Sequence, residues 1–197
     1  MSLWGATDSD ESKPKNLTTA EKLEVSASSK GWVREAGSRL SGNGNTSATP
    51  EVLVAIGGLA VKLGAADITE IEWITTAADK SAGFTLSARL RFNEAVDVVT
   101  TGGTPTLAVT NGNQGTGTGR GPHALAYASG TGTNELVFSL VIAANNAATN
   151  ADDVLVFGAN ALALNSGTIK DKGTTTNATI TSAAGIGTAA GTLTVVA

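Results

Sequence analysis

The chain contains no cysteine. This removes disulfides, thiolate zinc sites, iron–sulfur clusters and cysteine nucleophiles. It has a single histidine, His123, so any Ser-His-Asp triad would have to use it, and no G-x-S-x-G elbow occurs. Charged residues make up only 15% and the net charge is −4, which leaves no basic field to hold a nucleic-acid backbone. The longest apolar run, Val52 to Val61, is ten residues with two glycines, whereas a bilayer span needs about 20. The opening Met-Ser-Leu-Trp-Gly-Ala-Thr-Asp lacks the basic and apolar regions of a secretory signal, so neither export nor a membrane partner is expected. Aromatics are scarce at 4%, too few to furnish an obvious stacking platform.

What the chain does have is alanine (32), threonine (28) and glycine (24) among 197 residues. Threonine and glycine weaken helices, while small and β-branched residues punctuated by glycine suit an all-β protein with many turns. The charges are unevenly placed: twelve fall in residues 1–50 and only seven in 101–197. Two materials are therefore joined between Pro50 and Asp67.

The first, residues 1 to about 66, is polar. Thr18-Thr-Ala-Glu21 has the form of a capping box, and Ala20, Leu23 and Ala27 follow at helical spacing, which predicts a short helix near 19–28 ended by Gly31. Trp32-Val-Arg-Glu35 reads as a strand. Glu51 to Ile56 reads as a buried strand or the start of a buried helix, which periodicity does not separate at this length. Gly57-Gly58 and Gly64 mark a joint. Trp4, Trp32, Val33 and the run Val52, Leu53, Val54 and Ile56 are more apolar surface than so short a segment readily encloses. They are the candidate partner-binding residues; the other reading is that this segment packs on the rest of the chain.

From about 67 to 182 the period is two. Phe84-Thr-Leu86-Ser-Ala88-Arg-Leu90-Arg-Phe92 places Phe, Leu and Ala on one face and Thr, Ser and Arg on the other, as a half-buried antiparallel strand does. Glu70–Trp73 and Leu136–Ile142 alternate likewise. Shorter candidates are Val96–Val98, Thr106–Val109, His123–Ala128, Val154–Phe157, Ala161–Leu164, Thr168–Lys170 and Ala178–Thr181. Turn chemistry separates them, at Thr101-Gly-Gly-Thr104, Asn111-Gly-Asn113, Ser129-Gly-Thr-Gly132 and Asn165-Ser-Gly167. Strands at roughly 8–12-residue intervals point to a β-sandwich. Residues 183–197 read as a flexible link and a last strand that adds to the sandwich or to a neighbouring chain.

Few motifs offer chemistry. Gly115 to Gly121 fits neither the dinucleotide nor the Walker pattern and reads as a loop. Asp8-Ser-Asp10-Glu11 lacks the glycine and the closing glutamate of an EF-hand. Asp152, Asp153 and Asp171 could share a Ca²⁺ between loops, with a polar turn as the plainer reading. Arg89 and Arg91 lie on the outer face of their strand and are expected in solvent, paired with Glu70 or Glu72. His123 is expected to be a polar residue at a strand end. The chain is therefore expected to be non-enzymatic, with no cofactor and no metal.

Two resemblances add to this. Val96-Asp-Val98, Gly103-Thr-Pro105-Thr-Leu107, Ala126-Tyr127-Ala-Ser129-Gly130, Glu135-Leu136-Val-Phe138 and Leu162-Ala-Leu164-Asn165-Ser-Gly167-Thr-Ile169-Lys-Asp171 resemble an Ig-like repeat of large bacterial surface proteins. This implies an Ig-like β-sandwich that serves as a spacer or adhesive unit, with a host glycan as one possible ligand. Leu3-Trp-Gly-Ala-Thr-Asp8, Glu11-Ser-Lys-Pro-Lys15, Gly31-Trp-Val33, Asn45-Thr46 and Glu51-Val-Leu-Val-Ala-Ile-Gly-Gly58 are similar to the start of virion structural proteins of marine tailed phages that infect cyanobacteria. The resemblance implies an N-terminal anchoring segment (1–66) with one short helix and one or two strands, an outward domain (67–182) and a C-terminal tail (183–197). It implies the role of a capsid decoration protein in the virion, homo-oligomeric (a trimer being one form), with the major capsid protein or another virion protein as partner. A neck, tail or fibre component is the other structural reading.

Overall fold

The computed structural model describes residues 13–28, 31–34, 49–55, 65–112 and 122–197. The N-terminal unit begins with α1 (Thr19–Leu23), closed by the expected capping box: the Glu21 amide donates to Thr18 Oγ1, and the Thr18 amide donates to a Glu21 carboxylate oxygen. The helix is half the predicted length. Val25 and the residues after it are claimed instead by pairing, as β1 (Val25–Ser28) runs antiparallel to β2 (Gly31–Arg34). An isolated helix of three turns is marginal, and cross-strand pairing overrides the helical spacing. Gly31 does not end the helix; it opens β2 at φ +124°, a conformation that L side chains avoid. Glu51 to Val54 forms β3, resolving that ambiguity in favour of a strand, but not a buried one: Glu51 and Val52 are exposed. The three strands make a sheet in the order β1-β2-β3.

The rest of the described chain is all-β, as the alternation predicts. It comprises β4 (Ile68–Trp73), β5 (Ala78–Asp79), β6 (Phe84–Val99), β7 (Thr106–Gly112), β8 (His123–Ser129), β9 (Thr133–Ile142), β10 (Val154–Ala163), β11 (Thr168–Asp171), α2 (Ile186–Ala189) and β12 (Leu193–Val196). Two pairs of expected strands are fused. The alternation of β6 breaks within Leu90 to Glu94, five consecutive buried residues, and its ladder with β9 shifts register after Arg91, which marks an irregularity rather than a gap. In β10 the shift falls between Phe157 and Leu162, where Asn160 takes a positive φ and exchanges hydrogen bonds with Ser182. Ala178–Thr181 is not a strand. It makes one isolated bridge from Thr179 to Asp67, beside which the Thr179 amide donates to the Ala66 carbonyl.

One hydrogen-bonded sheet runs β11-β6-β9-β8-β7-β10-β12-β5, with β4 sharing the β11 edge of β6. It curls on itself: Trp73 of β4 stacks on Phe157 of β10 at 4.1 Å between ring centroids, and Leu86, Leu90, Phe92, Leu107, Leu125 and Phe138 fill the interior. The two-sheet Ig-like arrangement stays with the resemblance. The expected link at 183–192 contains α2, whose Gly187 lies against the Gly158 carbonyl so closely that a Cβ would sit 2.5 Å from it. The last strand, β12, is taken up by its own chain, antiparallel to β10 and parallel to β5.

Candidate anchoring site

Two observations place the predicted partner-binding residues. The first is a small second core. Trp32 is fully enclosed there beside Val25, with Leu17, Leu53 and Val54 packed around it. The expectation that the N-terminal segment leaves this ring uncovered is therefore corrected: Val25, Leu17, Leu53 and Val54 pack about it, and in the folded chain the ring is fully buried. Val33 is buried too, so β2 is covered on both faces. Of the run that follows, Val52 is 41% exposed while Leu53 and Val54 are half-buried, which makes the outer part of β3 an accessible apolar surface among the described residues of this unit. Trp4 and Ile56 lie outside the described residues.

The second observation is what holds this unit down. Arg89 and Arg91, expected in solvent, lie under it. The guanidinium of Arg91 is wholly buried and meets four carboxylates: Nη1 to Glu24 at 3.0 Å and to Glu70 at 2.6 Å, Nη2 to Glu72 at 3.2 Å, and Nε to Glu135 at 2.8 Å. Arg89 bridges two of the same groups, Glu72 at 3.0 Å and Glu135 at 3.5 Å. The register explains the convergence. Glu70 and Glu72 of β4 stand opposite Arg91 and Arg89 of β6, and Glu135 of β9 stands opposite Arg91 on the other side. The alternating charges are thus cross-strand neighbours, as the sequence suggested. The missed member is Glu24, from the turn after α1, which closes the top of the cluster. Burial alone would weaken the charge on Arg91. The carboxylates, Glu135 foremost, outweigh that and hold it more firmly protonated than an ordinary arginine.

The remaining candidates separate. Asp153 accepts from the Asn150 amide and Asp171 from the Ala66 amide, so the proposed calcium ligands are engaged in fixing backbone, and Asp152 is exposed at φ +67°. Among the described residues no three His, Cys, Asp or Glu side chains gather as a metal site. Gly115–Gly121 lies outside the described residues. His123 does begin β8, as expected of a polar residue at a strand end, and its ring is buried, 2.9 Å through Nε2 from Thr149 Oγ1. That hydroxyl is fully enclosed, so it offers a substrate no approach; the pair instead ties the loop before β10 to the start of β8. Burial lowers the His123 pKa, opposed in part by Asp153. The unfolded chain therefore takes up this proton before the folded one, and stability from the neutral ring is lost as pH falls below about 6.5. Urea midpoints at neutral and mildly acid pH should fall further for the parent chain than for His123→Gln; equal slopes would remove His123 from the acid response. Removing the ring by His123→Ala should cost about 1–3 kcal/mol, because a buried ring and its hydrogen bond to Thr149 are lost together.

Neither a protein-family model, nor a curated protein, nor a solved structure matches the chain.

Proposed function

We propose that this chain is a non-enzymatic structural protein of a phage virion, a capsid decoration protein whose N-terminal unit contacts the major capsid protein or another virion protein while the curled sheet projects from the particle. The observation that carries this reading is the two-part build. A small unit with its own apolar core sits on a larger all-β body through an ionic seat, and the residues of that unit are the ones with the virion-protein resemblance. Binding at each site can be weak, because a shell offers many equivalent sites.

The contact surface moves accordingly from Trp32 to the exposed part of β3. Val52→Asp is expected to weaken binding to particles stripped of this protein at least about tenfold, which corresponds to about 1.4 kcal/mol, with an unchanged thermal midpoint. Undiminished binding by this variant would remove β3 from the interface. Imaging labelled particles tests the role itself: hundreds of copies over the shell support decoration, a small ring of copies at one vertex supports the neck or tail, and no incorporation ends the virion reading.

A further inference from the structure

One end of the interior of the curled sheet is polar. Along β7 the buried row Leu107, Val109 is continued by Asn111, and along β10 the buried row Phe157, Leu155 is continued by Asp153. His123, buried at the start of β8, stands opposite Val109. Residues 143–153, between β9 and β10, are strapped across this end. Lys80 Nζ donates to the Ala143 and Ala144 carbonyls, Asn111 Nδ2 donates to the Ala148 carbonyl, and Thr149 Oγ1 meets His123 Nε2. The far end of the strap holds β12 in turn: the Asp152 amide donates to the Val195 carbonyl, and the Val195 amide donates to the Asp153 carbonyl. We propose that this strap is an acid-sensitive latch, in which protonation of His123 frees residues 143–153 and β12 by a local opening that leaves β6 and β9 paired.

His123 is the only histidine of the chain, and imidazole is the side chain that changes charge near neutrality. Of the groups set against it, Val109 of β7 and Thr149 of the strap carry no charge, while Asp153 favours the proton in part; enclosure of the ring outweighs that carboxylate. The opened ring, in water, takes up its proton at about pH 6.5, and the enclosed ring does so only at lower pH. Acid below that point therefore draws the strap towards its open form. Two further features make this end the first to give. Asn111 Oδ1 is enclosed with no hydrogen-bond partner, so opening returns it to water and recovers the cost of burying it. The turns of the strap are closed by long main-chain bonds, 3.4 Å from the Thr149 amide to the Asn146 carbonyl and 3.3 Å from the Asp153 amide to the Asn150 carbonyl. The ladder of β6 with β9, by contrast, is continuous from Phe84 to Arg91. Contiguous segments with few such ladders open below the free energy of the whole fold. The inference does not rest on the virion reading.

Amide exchange of the full chain, corrected for the intrinsic effect of pH, tests the latch at the Thr149, Asp152 and Val195 amides. Their protection should fall by up to about tenfold between about pH 7.5 and about pH 5.5, the limit set by an ordinary imidazole pKa of about 6.5. Low concentrations of urea should leave their exchange unchanged, because a local opening exposes little surface, while exchange in β6 and β9 should be slower and should rise with urea. His123→Gln, which takes up no proton, should abolish the fall. Thr149→Val serves should that variant lose structure, and is expected to lower protection at Asp152 and Val195 already at neutral pH. Protection that does not change with pH overturns the proposal, as does a fall that persists in His123→Gln or a Thr149→Val chain protected like the parent. Strap amides that share the protection and urea dependence of β6 and β9 would make the opening global and likewise overturn it.

Discussion

Replacing Arg91 with leucine is expected to be among the most damaging single changes in the chain. The guanidinium is wholly buried and is a common partner of Glu24, Glu70, Glu72 and Glu135. Removing it leaves Glu24, Glu70, Glu72 and Glu135 around one site without the cation they share. Breaking a buried ion pair by deleting one partner costs about 3–5 kcal/mol, because the surviving charge stays desolvated. For a domain whose whole stability is about 5–15 kcal/mol, this brings the fold close to its limit. Urea denaturation of the purified variant is the direct measurement. Glu24→Gln separates the two functions of the cluster. It keeps the shape and removes only the carboxylate from the N-terminal unit, so it should loosen that unit while the sheet retains its midpoint. Amide exchange at Val25 and Trp32 should rise and exchange in β6 and β9 should not. An Arg91→Leu midpoint within error of the parent would show that the cluster adds nothing net, as some buried ion networks do.

Gly130→Ala is expected to match it by a different mechanism. Gly130 has φ +112°, and a Cβ there would sit 2.0 Å from the Glu135 carbonyl oxygen. That oxygen belongs to backbone and cannot swing aside. It also lies within hydrogen-bond reach of the Thr133 hydroxyl, and the turn is closed by the Thr133 amide donating to the Gly130 carbonyl. Strain from the dihedral alone is about 1–3 kcal/mol. The collision adds to it, so a total of about 4 kcal/mol or more is expected. Displacing Glu135 would also disturb the seat of Arg91. The variant should therefore lose midpoint in urea and raise exchange in the N-terminal unit together. Loss of stability without the second effect would show that turn and ionic seat are independent.

Much of the sheet was legible because its signals are local. Strict alternation from Phe84 to Phe92 and from Leu136 to Ile142 fixes which side faces the core, and Gly-rich turns mark where strands end. The fused strands were less legible, since a register shift preserves the chain direction while breaking the pattern that announces it. The anchoring site was half legible. Glu70 and Glu72 opposite Arg89 and Arg91 is a pairing that alternation suggests, and it is present. That this face is covered was not readable, because the cover comes from Glu24, 67 residues away from Arg91, in a segment whose spacing looks helical. Trp32 was misjudged for the same reason. Counting apolar residues in a short segment says nothing of how three strands and a capped turn fold around one ring.

The place of β12 governs when this protein can finish folding. It slots between β10 and β5, and its partner Ala78 lies more than a hundred residues before Val195 in the chain. Contacts of that sequence separation form slowly, because the loop-closure entropy is lost before the contact rewards it. During synthesis β5 emerges long before the strand it will pair with, and the interior that Leu193 and Val195 complete stays open on that side. The closing step waits for residues 193–196 to clear the ribosome. Until then the unpaired edge of β10 is a template for another nascent chain.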